Sequence, residues 1–285
     1  MQLTKPSSGL FIPDGSPAET ALARTTHLAI GAHADDIEIM AMHGILAGFA
    51  SPDRWFTAAL VTDGSGSPRD GAYRTYTNEQ MQAVRRREQD KAAVVGEYSA
   101  VAYLDFTSAE VKDPACGATV ADLRGLLLAT RPKVVYVHNP ADKHATHVAV
   151  CLRTLAALRS LPAEARPERV LGCEVWRDLD WLSAADKVVL DVSEHDNIAA
   201  ALVALFDSQV AGGKRYDHAT MGRRRAHATY LESHGVDQAE FVSYAMDLTP
   251  LVADPAMDVR DFVGALMSRF AAEVGSNLSS LGGAA

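Results

Sequence analysis

The sequence is poor in cysteine, has no long apolar run and no dense block of positive charge. Its three cysteines, Cys116, Cys151 and Cys173, are scattered over 285 residues. That excludes a disulfide-stapled scaffold and a closed, cysteine-rich zinc site, and it suits a reducing compartment. No stretch approaches the ~20 consecutive apolar residues of a membrane-spanning helix. The N-terminus, rich in Pro, Ser and Gly, lacks the charged start and apolar core of a signal peptide. The expectation is a cytoplasmic protein with no membrane partner. Lys and Arg number 27 against 36 Asp and Glu, a net charge of −9, and the longest basic runs are Arg85-Arg86-Arg87 and Arg223-Arg224-Arg225. Nucleic-acid backbones are bound by clustered positive charge, so nucleic acid is excluded as the main partner. What is present is a 48% hydrophobic chain long enough for one sizeable α/β core.

The most informative stretch runs from Thr26 to Asp36. A short apolar run containing Gly31 reads as a buried strand and ends abruptly in His33, Asp35 and Asp36. Ile37 to Phe49 then reads as a helix, in which Gly44 permits close approach to a sheet. Three titratable side chains therefore stand where a strand becomes a helix, the place where open α/β sheets bind ligands. His33 and Asp36, three apart, can converge on one point, with the Asp35 carboxylate pointing elsewhere but close by.

A metal needs at least one more ligand. Lys133 to His138 is a second β-branched run, followed by Asn139-Pro140-Ala141-Asp142-Lys143-His144-Ala145-Thr146-His147 and a helix from Val148. Two histidines and one carboxylate with an open position for water make a catalytic zinc arrangement, and the same set suits ferrous iron. The plainer alternative is that Asp35-Asp36 caps a helix and that the histidines lie in a surface loop. Two such clusters, each at the carboxyl end of a strand, favour chemistry.

Elsewhere strands and helices alternate. Strands are expected over residues 55–62, 101–106, 170–176 and 187–192, and helices over 78–96, 120–130, 152–161, 197–206 and 258–274. This predicts an α/β fold: a single-domain, Rossmann-like, mostly parallel sheet with helices on both faces. Residues 1–25 read as an arm on the surface or on a neighbouring subunit, 26–250 as the domain, and 251–285 as a helical extension with a Gly/Ser tail. A homo-oligomer is compatible with this organisation. The loop Asp63-Gly64-Ser65-Gly66-Ser67 lacks phosphate-loop spacing, and Tyr73 and Tyr76 beyond it offer faces for a sugar ring. Trp176 and Trp181 flank a loop that could grip a polar ring or simply pack.

Ala32-His33-Ala34-Asp35-Asp36 and His144-Ala145-Thr146-His147 resemble the two motifs of the PIG-L/LmbE-like zinc N-deacetylases. The family has proline where Ala34 stands and Pro-Asp where Ala145-Thr146 stand. The resemblance spans roughly residues 26–241 and implies a Rossmann-like fold and Zn2+. It implies His33, Asp36 and His147 as metal ligands, Asp35 as general base, and His144 as the group facing developing charge. Asp142 is expected to orient His144 in place of the acid missing at Thr146. The resemblance also places Arg85, Glu88 and the Asp63 loop near the substrate, an N-acylated small molecule of the N-acetylglucosamine-conjugate type. A metal-dependent amidase acting on a non-sugar N-acyl metabolite and a non-catalytic Rossmann-like binding protein are the rival readings.

Overall fold

Eight strands form one sheet in a computed structural model that describes residues 2–282; Met1 and the last three residues of the expected tail lie outside the described residues. The strands are β1 (Gly9–Phe11), β2 (His27–Gly31), β3 (Phe56–Thr62), β4 (Ala100–Phe106), β5 (Val134–His138), β6 (Arg169–Cys173), β7 (Val188–Asp191) and β8 (Val242–Asp247). Their spatial order is β1-β4-β3-β2-β5-β6-β8-β7. The five central strands from β4 to β6 pair in parallel. β1, β8 and β7 add antiparallel pairs at the two ends.

The central strands read as nearly continuous apolar runs because helices cover both faces of the sheet. Every residue of β3 is buried. Side-chain alternation divides the core in two: Leu28 and Ile30 pack on one face and Ala29 on the other. From β2 the chain winds outward through β3 and β4, then returns to lay β5 on the opposite side of β2. Connections leaving β2 and β5 thus diverge at their carboxyl ends, opening a crevice between the two motif-bearing strands.

Several expectations are refined. The helix after β2 is two helices, Asp36–Met40 and Met42–Gly48, broken at Ala41. Gly44 is required by packing, since a Cβ there would lie 2.6 Å from the Tyr136 ring. The N-terminal segment is docked on its own chain rather than loose: β1 pairs with β4, and Thr4 bonds Asp122. β8 was not anticipated. The C-terminal helix is longer than expected, Val259–Ser280, and starts at an Asp258 cap. No helix among the described residues is long and apolar enough to cross a membrane.

Candidate metal and active site

The end of β2 and the end of β5 deliver two sets of side chains to one place. Asp36 is buried, and its Oδ2 accepts the His33 backbone N–H at 2.7 Å. This local bond turns the chain back on itself and sets both candidate ligand side chains of the first motif. Oδ2 also lies 3.2 Å from His33 Nδ1 and 3.3 Å from His147 Nε2, while those two nitrogens are 3.3 Å apart. Ligand bonds of ~2.0–2.1 Å in a tetrahedral site put donor atoms ~3.3–3.4 Å from one another. The triangle formed by His33, Asp36 and His147 therefore has the edge lengths of such a site.

Two further donor groupings overlap it, His33 with His144 and His147, and Asp36 with His138 and His147. In this structure His138 Nε2 accepts the Ala32 N–H at 2.9 Å and lies 3.4 Å from Asp36 Oδ2, so its lone pair is already engaged. Burial lowers the His147 imidazole, but Asp36 and then Asp142 more than reverse this, to about 9. Asp36 is raised by burial, yet His147 and His138 hold it well below the usual carboxylate range. The point where the donors meet thus attracts positive charge, and the donor set fits a divalent ion of the zinc or ferrous type.

Asp35 occupies the N-cap position of the Asp36–Met40 helix, but its side chain makes no capping bond. The plainer reading of the pair as a helix cap therefore fails for this residue. Its φ of +92° is unusual for a residue with a Cβ. The buried carboxylate lines the cleft, with Oδ1 3.6 Å from Arg85 Nη2. Burial raises the Asp35 carboxyl well above the usual range; Arg85 opposes the rise, and Asp36 and Glu38 add to it.

The arginine facing the site is Arg85, buried, whereas Arg87 is exposed and Arg86 pairs with Asp105. Arg85 donates to the carbonyls of Ala34 at 2.7 Å and Gly64 at 3.4 Å, and to Ser67 Oγ. Glu88, one turn on, accepts from Ser208 N at 2.8 Å and Ser208 Oγ at 2.6 Å. Both belong to the helix Asn78–Val95. Arg85 braces the loop after β3, and Glu88 braces the short helix Asp207–Val210.

His144 lines the same cleft, its ring edge-on to His33 with centroids 5.2 Å apart. Its Nδ1 has no hydrogen-bond partner, and burial, with His147 and His33, lowers its pKa to about 4. Asp142 departs from expectation. Its Oδ1 accepts the His144 backbone N–H at 2.8 Å, and its Oδ2 accepts the Trp176 N–H at 3.1 Å. Oδ2 also faces His147 Nδ1 at 3.6 Å. That is long for a hydrogen bond and makes Asp142 an orienting charge for His147 rather than for the His144 ring.

The cleft measures about 540 Å³. Asp63 and Tyr73 do not line it: Asp63 bonds Ser65 in its own loop, and Tyr73 donates to Asp207 at 2.5 Å. Glu88 stays behind the wall. The aromatic lining comes instead from Trp176 and Tyr216, ring centroids 6.0 Å apart, with Lys214 Nζ 5.2 Å over the indole. Trp176 sits in a loop singled out in the sequence. Tyr216 and Lys214 follow Gly212-Gly213 and carry no motif that would have signalled them. Fully buried His138 was likewise missed as a participant, although it ends the β5 run.

Residues 28–158 match the family model PIG-L: GlcNAc-PI de-N-acetylase. No curated protein sequence matches the chain. Among solved structures it is similar to GalB, the 4-carboxy-2-hydroxymuconate hydratase from Pseudomonas putida KT2440, at 17% identity over 79% of this chain and 95% of that one, with a TM-score of 0.60. It is similar to N,N'-diacetylchitobiose deacetylase from Pyrococcus horikoshii at 15% identity over 81% and 88%, TM-score 0.58. It is also similar to a zinc inhibited form of teicoplanin deacetylase at 15% identity over 78% and 97%, TM-score 0.57. At such identities these likenesses establish the fold.

Proposed function

We propose, with residues 28–158 assigned to the PIG-L family, that the protein is a metal-dependent hydrolase removing an acetyl group from the nitrogen of an amino sugar. One observation carries the reading. A triangle of donors at 3.2–3.3 Å, from His33, Asp36 and His147, stands beside a carboxylate, Asp35, that neither caps its helix nor joins the triangle.

His33, Asp36 and His147 would hold the ion. When bound, such an ion acidifies a water and polarises the acyl oxygen. Asp35 takes the proton of the attacking water, a role that requires a nearby but unligated base. Asp35 then returns that proton to the departing amine. His144, kept neutral by burial, offers a ring N–H to the oxygen that gains charge. Asp142 fixes the His147 ring and the His144 backbone. Trp176 and Tyr216 give the cleft an aromatic wall suited to a sugar face.

The sugar assignment is supported by the family description and by the chitobiose-derived substrate named for the Pyrococcus protein. A second reading is hydration of an unsaturated acid, favoured by the likeness to the Pseudomonas hydratase. The test is a panel of N-acetylated amino sugars, N-acyl amino compounds and unsaturated acids, assayed with protein reconstituted with Zn2+ or Fe2+. Metal-dependent release of amine and acetate from the sugars is expected. Hydration alone, release only from the non-sugar amides, or no turnover with either ion would overturn the proposal.

A further inference from the structure

The run Arg223-Arg224-Arg225 stands out as positive charge in an acidic chain, and the reaction proposed above makes no use of it. All three residues lie on the helix Tyr216–Tyr230, whose first residue lines the cleft. Each guanidinium donates to main-chain carbonyls of a different segment. Arg223 Nη1 reaches Val175 O at 2.6 Å, Arg224 Nη2 reaches Glu38 O at 2.7 Å and Ile39 O at 3.2 Å, and Arg225 Nη1 reaches Glu240 O at 3.1 Å. Successive helical residues point about 100° apart, so neighbours on one turn can hold separate parts of the chain.

Arg224 is the informative member. It is 2% exposed, and a buried charge is costly unless it is paired or its hydrogen bonds are met. Among the described residues its partners are the two carbonyls and Met221 Sδ at 3.9 Å, with no carboxylate. Both carbonyls belong to the helix Asp36–Met40. That helix ends early: the Ala41 N–H closes on Ile37 O, and the ladder resumes with Gly44 and Ile45 on Ala41 O. The break at Ala41 takes the backbone donors away from Glu38 and Ile39. Carbonyls left so at a helix end are satisfied by side chains or water. Arg224 thus completes, from another helix, the far end of the helix that begins with Asp36. Arg223 in turn holds Val175, the neighbour of Trp176, and both of these line the cleft.

We propose that Arg223 and Arg224 are positioning residues. Arg224 fixes the Asp36 helix, and through it the affinity of the site for its ion. Arg223 fixes the segment that bears Trp176. Asp36 Oδ2 stands 3.2 Å from His33 Nδ1 and 3.3 Å from His147 Nε2, so a small drift of its helix opens the triangle. Arg225 holds Glu240, outside the cleft lining, and serves neither task. The role of Arg224 rests on the metal site proposed above; that of Arg223 does not.

The test uses the full chain without substrate. Zn2+ affinity is measured by chelator competition. The three tryptophans are followed by fluorine NMR after fluorotryptophan labelling, with the Trp176 resonance assigned by its loss in Trp176→Phe. Arg224→Met, which keeps the length but no donor, should weaken Zn2+ binding about 10–100-fold, the range for partners that orient ligands. It should leave the Trp176 resonance in place. Arg224→Lys, which keeps a donor, should recover most of that loss. Arg224→Gln, too short to reach both carbonyls, gives the same comparison should Arg224→Met fail to fold. Arg223→Met should shift the Trp176 resonance and leave Zn2+ affinity unchanged, and Arg225→Met should change neither. Wild-type affinity in a folded Arg224→Met, an equal loss in Arg225→Met, or an unmoved Trp176 resonance in Arg223→Met would overturn the proposal. Wild type that binds no Zn2+ would overturn the metal reading, and the role of Arg224 with it, while the Arg223 result stands apart.

Discussion

The His138 ring lies flat against the His147 ring, centroids 3.8 Å apart and planes 18° from parallel. His138 also accepts the Ala32 N–H, so it ties the end of β2 to β5 while pressing on a proposed ligand. His138→Phe should keep the stacked face but strand the Ala32 N–H, at a cost of about 1–3 kcal/mol. Partners that orient ligands typically contribute about 10–100-fold in metal affinity, and a loss of that size is expected by chelator competition. Affinity within twofold of wild type would remove His138 from the support of the site.

His147 stands at the corner shared by both other donors. His147→Ala should lose metal and activity together, because two remaining ligands do not retain a catalytic ion. Elemental analysis showing full occupancy in this variant would displace His147 from the ligand set.

Asp35→Asn keeps the size of the side chain but cannot accept a proton. It should retain its metal and turn over about 10²–10⁴-fold more slowly, the usual contribution of a general base. Metal content and kcat measured on one preparation decide the matter. Metal lost with activity would make Asp35 a ligand, and near-normal kcat would leave the mechanism without its base.

The two motif-bearing strands were legible because β2 and β5 are unbroken buried runs that end in abrupt polarity. Legible too was the meeting of His33 and Asp36, since three residues of separation bring their side chains to 3.2 Å. The resemblance singled out Arg85 and Glu88 but not their contacts: Arg85 holds the loop after β3 and Glu88 a short helix, which is visible only once Ser67 and Ser208 are placed. β8 escaped because its partners, β6 and β7, are distant in sequence and its pairing is antiparallel. β1, three residues long, has no periodicity to read. Tyr216 enters the cleft through the position of a glycine-rich turn, which no local pattern announces.

His27 opens β2 at the end of the strand away from the metal site. Burial, with His43, Arg54 and Lys133, lowers its pKa to about 4. The unfolded chain, with an ordinary imidazole near 6.5, binds more protons between these values. Stability should therefore be full above pH 6.5 and fall as pH drops toward 4. The contribution is at most about 3 kcal/mol, less with part of the ring in water. Denaturant titrations of wild type and His27→Gln from pH 4 to 7 should show a shallower acid loss in the variant. Parallel curves would exclude His27 as a source.

The Asn78–Val95 helix has a consequence for how the cleft can change. Arg85 and Glu88 sit three residues apart on it and hold segments that come from parts of the chain more than a hundred residues apart. These segments also meet each other, through Gln209 Nε2 and Ser67 Oγ at 3.5 Å and through Tyr73 and Asp207, so they form one wall fastened to a rigid rod. A new substrate of different breadth cannot be admitted by letting this wall drift, because its displacement strips a buried arginine or glutamate of its partners. Adaptation at this cleft is steered toward exchanging the side chains that project into it, Trp176, Tyr216 and Lys214 among them, while this wall stays in place.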